Sequence, residues 1–136
     1  MSSSVVVAEN GQGRYQQSVQ AGQHVWISDE PESIGGADAG PAPFDFLMAA
    51  LGSCTSITLR MYAERKNIEL KKISVHLEHE KTEFEGQTRD LIRRRIKLEG
   101  DLSNDQRQRL LEIANKCPIF RTLSQPVLIR SDLEDE

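Results

Sequence analysis

PFDFLMAALGSCTSITLRMYAERK, residues 43–66, is the stretch on which the fold turns. Phe44, Leu47, Met48, Leu51, Thr55, Thr58 and Leu59 recur near a 3.6-residue period, and Phe46, Ala49, Ala50 and Ile57 widen the apolar surface. The pattern predicts a helix buried nearly all round in its first half. Pro43 suits the first turn, where its missing N–H costs nothing. Polarity rises only at Arg60, Glu64, Arg65 and Lys66. Cations there complement the negative end of the helix dipole, and Asn67 suits the C-terminal cap.

The flanking segments alternate instead. Val5 to Ala8, Arg14 to Gln20 and His24 to Ser28 read as three short strands of a meander, with Asn10-Gly11 as a turn signal. DEPESIGGADAGPAP, residues 29–43, is a loop long enough to be functional. After the helix, Ile73, Val75 and Leu77 alternate with Ser74, His76 and Glu78. Leu91, Arg93, Arg95 and Lys97 alternate with Ile92, Arg94, Ile96 and Leu98, so an antiparallel hairpin turning at Glu85-Gly86 is expected. Ser103 and Gln106 have capping-box spacing before a helix running to about Lys116. A short helix begins at Cys117-Pro118 and ends at Gln125-Pro126, and Val127 to Ile129 read as a last strand. Strands, long helix, hairpin and helices in this order predict an α+β fold with antiparallel sheets.

A chain of 136 residues has the size of a single domain, 1–136. Its net charge of -4 argues against a nucleic-acid partner. The basic run Arg93-Arg94-Arg95 lies on a predicted strand, where successive charges point to opposite faces, so it is not one patch. No segment has the apolar length to span a bilayer, and MSSSVVVAENGQG lacks the basic start of a signal peptide. A cytoplasmic location is expected, where thiols stay reduced.

The chain has two cysteines, Cys54 and Cys117. Cys117 precedes Pro118, so its sulfur can cap a helix and face unpaired N–H groups. Cys54 lies within an apolar helix, where burial raises a thiol's pKa. Local reasoning therefore makes Cys117 the more activated thiol, and it leaves open that both are inert packing residues. Arg14, Arg60 and Arg121 are the candidate cations. Arg121 is one turn past Cys117, Arg60 falls on the wrong face for Cys54, and Arg14 sits beside a hairpin turn. His76 and His79 point to opposite faces of a strand, and no Cys or His pair has zinc-site spacing. No phosphate-binding or dinucleotide glycine motif is present.

GGADAGPAPFDFLMAALGSCTSITLRMYAERK, followed further on by CPIFRTL, resembles the OsmC/Ohr family over essentially the whole chain. The resemblance implies an intertwined homodimer with active sites at the subunit interface. It makes Cys54 the peroxidatic thiol and Cys117 the thiol that resolves its sulfenic acid as a disulfide, the reverse of the local ranking. It places the thiolate-stabilising arginine on Arg14. The family's carboxylate directly follows the proline, where this chain has Phe44; Asp45 comes one position later, a rotation of about 100° on a helix. Apolar groups such as Phe44, Met48 and Phe120, with Arg121, would line the entry for an organic hydroperoxide. A lipoyl-type dithiol or a small thiol would restore the pair, with no metal or cofactor. Two other readings stand beside this one: a slow or non-catalytic stress or ligand-binding protein, and a dimer in which both thiols are structural.

Overall fold

The computed structural model describes residues 3–135. Contacts gather into two compact units, Met1–Ala49 and Ala50–Glu136. In the first, β1 (Val6–Glu9), β2 (Gln17–Ala21) and β3 (His24–Ser28) form an antiparallel meander in the order β1-β2-β3. Val19 is its buried centre. The β2–β3 register pairs Val19 with Trp26, whose ring lies 6.3 Å from that of Phe46.

The loop after β3 is organised by one buried carboxylate. Asp29 accepts backbone N–H bonds from Glu30, Ala37 and Ala39 at 2.8, 3.2 and 3.1 Å. Gly36 lies inside this closure, and a Cβ there would overlap the Glu30 carbonyl. The N–H groups of Ala39 and then Glu30, with that of Ala37, hold the Asp29 carboxyl below its ordinary range against the opposing effect of burial. A carboxylate depressed in the folded state stabilises above its unfolded pKa of about 3.9 and loses that contribution as pH falls through the folded value. Amide hydrogen exchange should therefore show Ala37 and Ala39 protected at neutral pH and deprotected in acid. Equal protection in acid would refute this role for Asp29.

Helix α1 (Pro43–Arg65) starts at the proline and ends where Asn67 takes the left-handed conformation, φ 55°. Its first half is less buried than its composition suggests. Leu51 and Gly52 are buried, whereas Phe44, Leu47, Ala49 and Ala50 are exposed. Apolar periodicity marks the surfaces that seek burial, and the single chain does not cover all of them.

In the second unit, β4 (Leu70–Phe84) and β5 (Gln87–Gly100) form a long antiparallel hairpin turning through Glu85 and Gly86, both at positive φ. The outer face carries the ion pairs Arg93–Glu80 and Arg95–Glu78. The inner face packs on α1 so closely that a Cβ on Gly52 would come 2.7 Å from Leu77 Cδ1. Helix α2 (Asn104–Ala114) has the predicted capping box, with Ser103 and Gln106 bonded reciprocally. Helix α3 (Pro118–Leu123) follows. Leu59 and Tyr62 of α1 meet Leu110, Ile113 and Ala114 of α2, with Ile73, Ile96 and Leu98 of the hairpin against them. This α+β arrangement of antiparallel sheets and one long helix matches the sequence expectation. The expected strand at Val127 to Ile129 does not form. A strand needs a neighbour for its N–H and C=O groups, and among the described residues no strand pairs with this segment; Leu128 is 85% and Ile129 83% exposed. Among the described residues no helix is long and apolar enough to cross a membrane.

Candidate active site

Three elements of the second unit bring side chains together. Helix α1 presents Cys54, Thr55 and Thr58. Cys117 is the N-cap of α3, because Pro118 at the first helical position leaves the following N–H groups without helical partners. The Phe120 N–H donates to Cys117 Sγ at 3.3 Å. Strand β5 contributes Arg94, which sits between Ile92 and Ile96 on the inward face.

The two thiols are near enough to shift one another's acidity, yet they are unequal. Cys117 is fully buried, at 0% exposure. Cys54 is partly exposed and lines a cavity of about 400 Å³ with Ala50, Ile57, Thr58, Met61 and Pro118. Burial pushes the Cys54 thiol up, and its position against Cys117 pushes it further. Burial also works against ionising Cys117. There it is outweighed by the neighbouring Cys54 thiol and by the N–H groups of Phe120 and Ile119, so Cys117 lies below the ordinary thiol range. The buried sulfur is thus the one whose surroundings favour ionisation, and the accessible one the one whose surroundings oppose it.

Arg94 supplies the positive field. Its Nη1 donates to Thr55 Oγ1 at 2.9 Å and to the Ala114 carbonyl at 3.2 Å, and its Nη2 to Asn115 Oδ1 at 2.6 Å. The guanidinium lies 4.9 Å from the Phe120 ring centroid. All of these partners are neutral, and among the described residues no carboxylate is ion-paired with it. Burial lowers the Arg94 pKa, while attraction to Cys117 and Cys54 opposes that drop.

The other residues expected at the site are placed as follows. Arg14 belongs to the first unit, where its guanidinium lies 4.9 Å from the Tyr15 ring centroid. Asp45, in the same unit, accepts the Ala42 N–H at 2.9 Å and so closes the first turn of α1. Phe44 is exposed and Met48 half-buried on that turn and the next. Arg60 is committed to the Leu70 carbonyl at 2.6 Å, and Arg121 is exposed on α3. Phe120 stands within the cluster, beneath Arg94. Arg94 itself was not among the expected cations. Its signal was present nonetheless: it is a charge on the apolar side of an otherwise alternating strand, where a long side chain must find buried partners. Among the described residues no group of three His, Cys, Asp or Glu could hold a metal ion. A buried thiol of lowered pKa beside an accessible one can support thiol–disulfide and sulfenic-acid chemistry.

Solved structures with this fold come from several bacteria. An OsmC-like protein of Mycoplasma pneumoniae is 16% identical, with 91% of this chain and 88% of that one covered at a TM-score of 0.76. An organic hydroperoxide resistance protein OsmC of Legionella pneumophila is 16% identical over 90% and 89% of the two chains, TM-score 0.69. An organic hydroperoxide resistance protein of Elizabethkingia anophelis is 17% identical over 89% and 86%, TM-score 0.66. At such identities the likeness is one of fold. No curated protein matches the chain. The sequence itself goes further, because the OsmC-like protein family profile matches residues 35–132, a span that includes both cysteines, Arg94 and the elements that carry them. With fold and sequence in agreement, this chain belongs to the OsmC-like protein family.

Proposed function

We propose that the protein is a thiol-dependent peroxidase that reduces organic hydroperoxides, and hydrogen peroxide less readily. The carrying observation is the unequal pair: an accessible thiol in a largely apolar cavity, near enough to a buried thiol for each to shift the other's acidity. The names of the Legionella and Elizabethkingia structures support this substrate class. The Cys54 thiolate attacks the distal oxygen of the hydroperoxide. An S–O bond forms, the O–O bond breaks, and the departing alkoxide takes up a proton. The Cys117 thiolate then attacks the Cys54 sulfur, forming the disulfide and releasing hydroxide, which becomes water. A dithiol of lipoyl type or a small thiol reduces the disulfide by exchange. Exposure decides the order of the two sulfurs, because a hydroperoxide reaches Cys54 first.

Leu47, Ile57 and Met61 of α1 are 36%, 52% and 63% exposed, a degree of apolar exposure on one helix that supports a homodimer. Under this reading a second copy covers that helix, and residues 1–136 act as one domain. Arg14 and Asp45 remain proposed members of the site. Two free cysteines suit a reducing, cytoplasmic setting.

The test is oxidation of the reduced protein with one equivalent of tert-butyl hydroperoxide, followed by mass mapping. An intrachain Cys54–Cys117 disulfide formed with consumption of the peroxide is expected. Peroxide left unconsumed, with both thiols intact, would end the reading.

A further inference from the structure

Arg94 is a half-buried cation whose hydrogen-bond partners are all neutral. Holding such a charge away from water is unfavourable unless an anion lies near it. The anion it faces is the sulfur pair. Resting on the peroxidase reading above, the geometry points to an ionising device: Arg94 holds a single negative charge on the two sulfurs, and Cys117, before it resolves anything, is the base that takes the Cys54 proton.

The arrangement follows from where each group is fixed. Cys117 is sealed from solvent and held as an N-cap acceptor by the Phe120 N–H. Its proton therefore passes through a neighbour, and the titratable neighbour is the Cys54 thiol. Thr55, next to Cys54 in the helix, joins the two parts: its hydroxyl accepts from Arg94 and donates to the Leu51 carbonyl at 2.7 Å. The charged and titratable groups facing the sulfurs are few. Helix α1 offers Cys54 itself and the hydroxyls of Thr55 and Thr58, α3 offers the N–H groups of Ile119 and Phe120, and β5 offers Arg94. Lys116 and Arg121, which flank Cys117 in sequence, are exposed.

The pair then loses its two protons in separate steps. The first leaves early, because the Arg94 field and the hydrogen bonds to Cys117 favour one charge. The second leaves late, because two adjacent thiolates repel. Between the steps the pair holds one proton, resting on Cys54. Attack begins when that proton crosses to Cys117: the Cys54 S–H bond breaks, a Cys117 S–H bond forms and no other atom changes. Arg94 acts through the sulfurs and is a positioning residue. Cys117 is catalytic twice, first as base and then as nucleophile.

The experiment follows the rate of Cys54 alkylation by iodoacetamide, read by mass mapping, across pH 5–10. It uses the full chain and no peroxide, so its outcome is independent of whether the protein is a peroxidase. Wild type should show two rises in rate separated by a plateau, the first below the ordinary thiol pKa of about 8.5. Cys117→Ser should show one rise. Arg94→Met should move the first rise up by about one pH unit or more, a tenfold loss of reactivity at the wild-type midpoint, and Arg94→Lys should recover part of that shift. Arg95→Met, on the opposite face of β5 and paired with Glu78, should leave the profile unchanged. If Arg94→Met does not hold its fold by circular dichroism, the Arg94→Lys and Cys117→Ser profiles decide. A single rise in wild type, or a Cys117→Ser profile that superimposes on it, would overturn proton sharing. An Arg94 variant that folds and titrates as wild type would remove Arg94 from the device.

Discussion

Cys54→Ser is expected to reduce the consumption of tert-butyl hydroperoxide in the presence of a dithiol to the uncatalysed background. The cavity opens onto Cys54, and Cys117 is too deeply buried to take over. A serine hydroxyl keeps the shape of the site and lacks a thiolate's nucleophilicity toward oxygen. Cys117→Ser should behave differently. Cys54 is still oxidised once, but no intrachain disulfide forms, and a sulfenic-acid trap such as dimedone should label Cys54. Sustained turnover should fall, and Cys54 should drift to the irreversible sulfinic and sulfonic acids. Comparable peroxide consumption by wild type and Cys54→Ser would remove the enzyme reading and favour a stress or ligand-binding role. Full turnover by Cys117→Ser, with no over-oxidation, would remove Cys117 from the cycle.

The largest loss of stability is expected from Leu59→Ala. Leu59 is fully buried on α1, against Leu110 and Ile113 of α2, with Ile73 and Ile96 of the hairpin behind them. It lies in the cluster where α1, α2 and the hairpin meet. Truncating it removes the transfer free energy of its side chain and leaves a cavity that a helix pinned on two sides closes only in part, a cost of about 2–5 kcal/mol. The denaturation midpoint should fall while its dependence on denaturant concentration holds. Leu128→Ala, in the exposed C-terminal segment, is the internal contrast and should change the single-chain stability by less than about 0.5 kcal/mol. A cost at Leu59 no larger than at Leu128 would show that the core lies elsewhere.

Much of this architecture is legible in local patterns, because those patterns are enforced within a few residues. The capping box at Ser103 and Gln106 and the left-handed Asn67 after α1 depend on neighbours along the chain, and both appear as expected. The same holds for the N-cap position of Cys117 before Pro118. Misjudgements arise where a residue's fate depends on distant partners. Val127 to Ile129 have a strand's composition, but a strand exists only when an edge is there to receive its hydrogen bonds. The first half of α1 has a buried helix's composition, yet it exceeds what one chain can cover.

The site divides in the same way. The two cysteines and the helices that carry them follow from the sequence alone, since a nucleophile's identity and the capping proline are local facts. Which sulfur is reachable, which one's surroundings favour ionisation and which cation faces them were decided by tertiary packing. Arg94 lies 40 residues from Cys54 along the chain and 23 from Cys117. It joins them because the pleat of β5 turns it inward, onto the Thr55 hydroxyl of α1 and the Ala114 carbonyl at the end of α2. Electrostatic influence falls with separation in space and is indifferent to separation along the chain, so the acidity of these thiols could be assigned only after the hairpin had been laid against the helix.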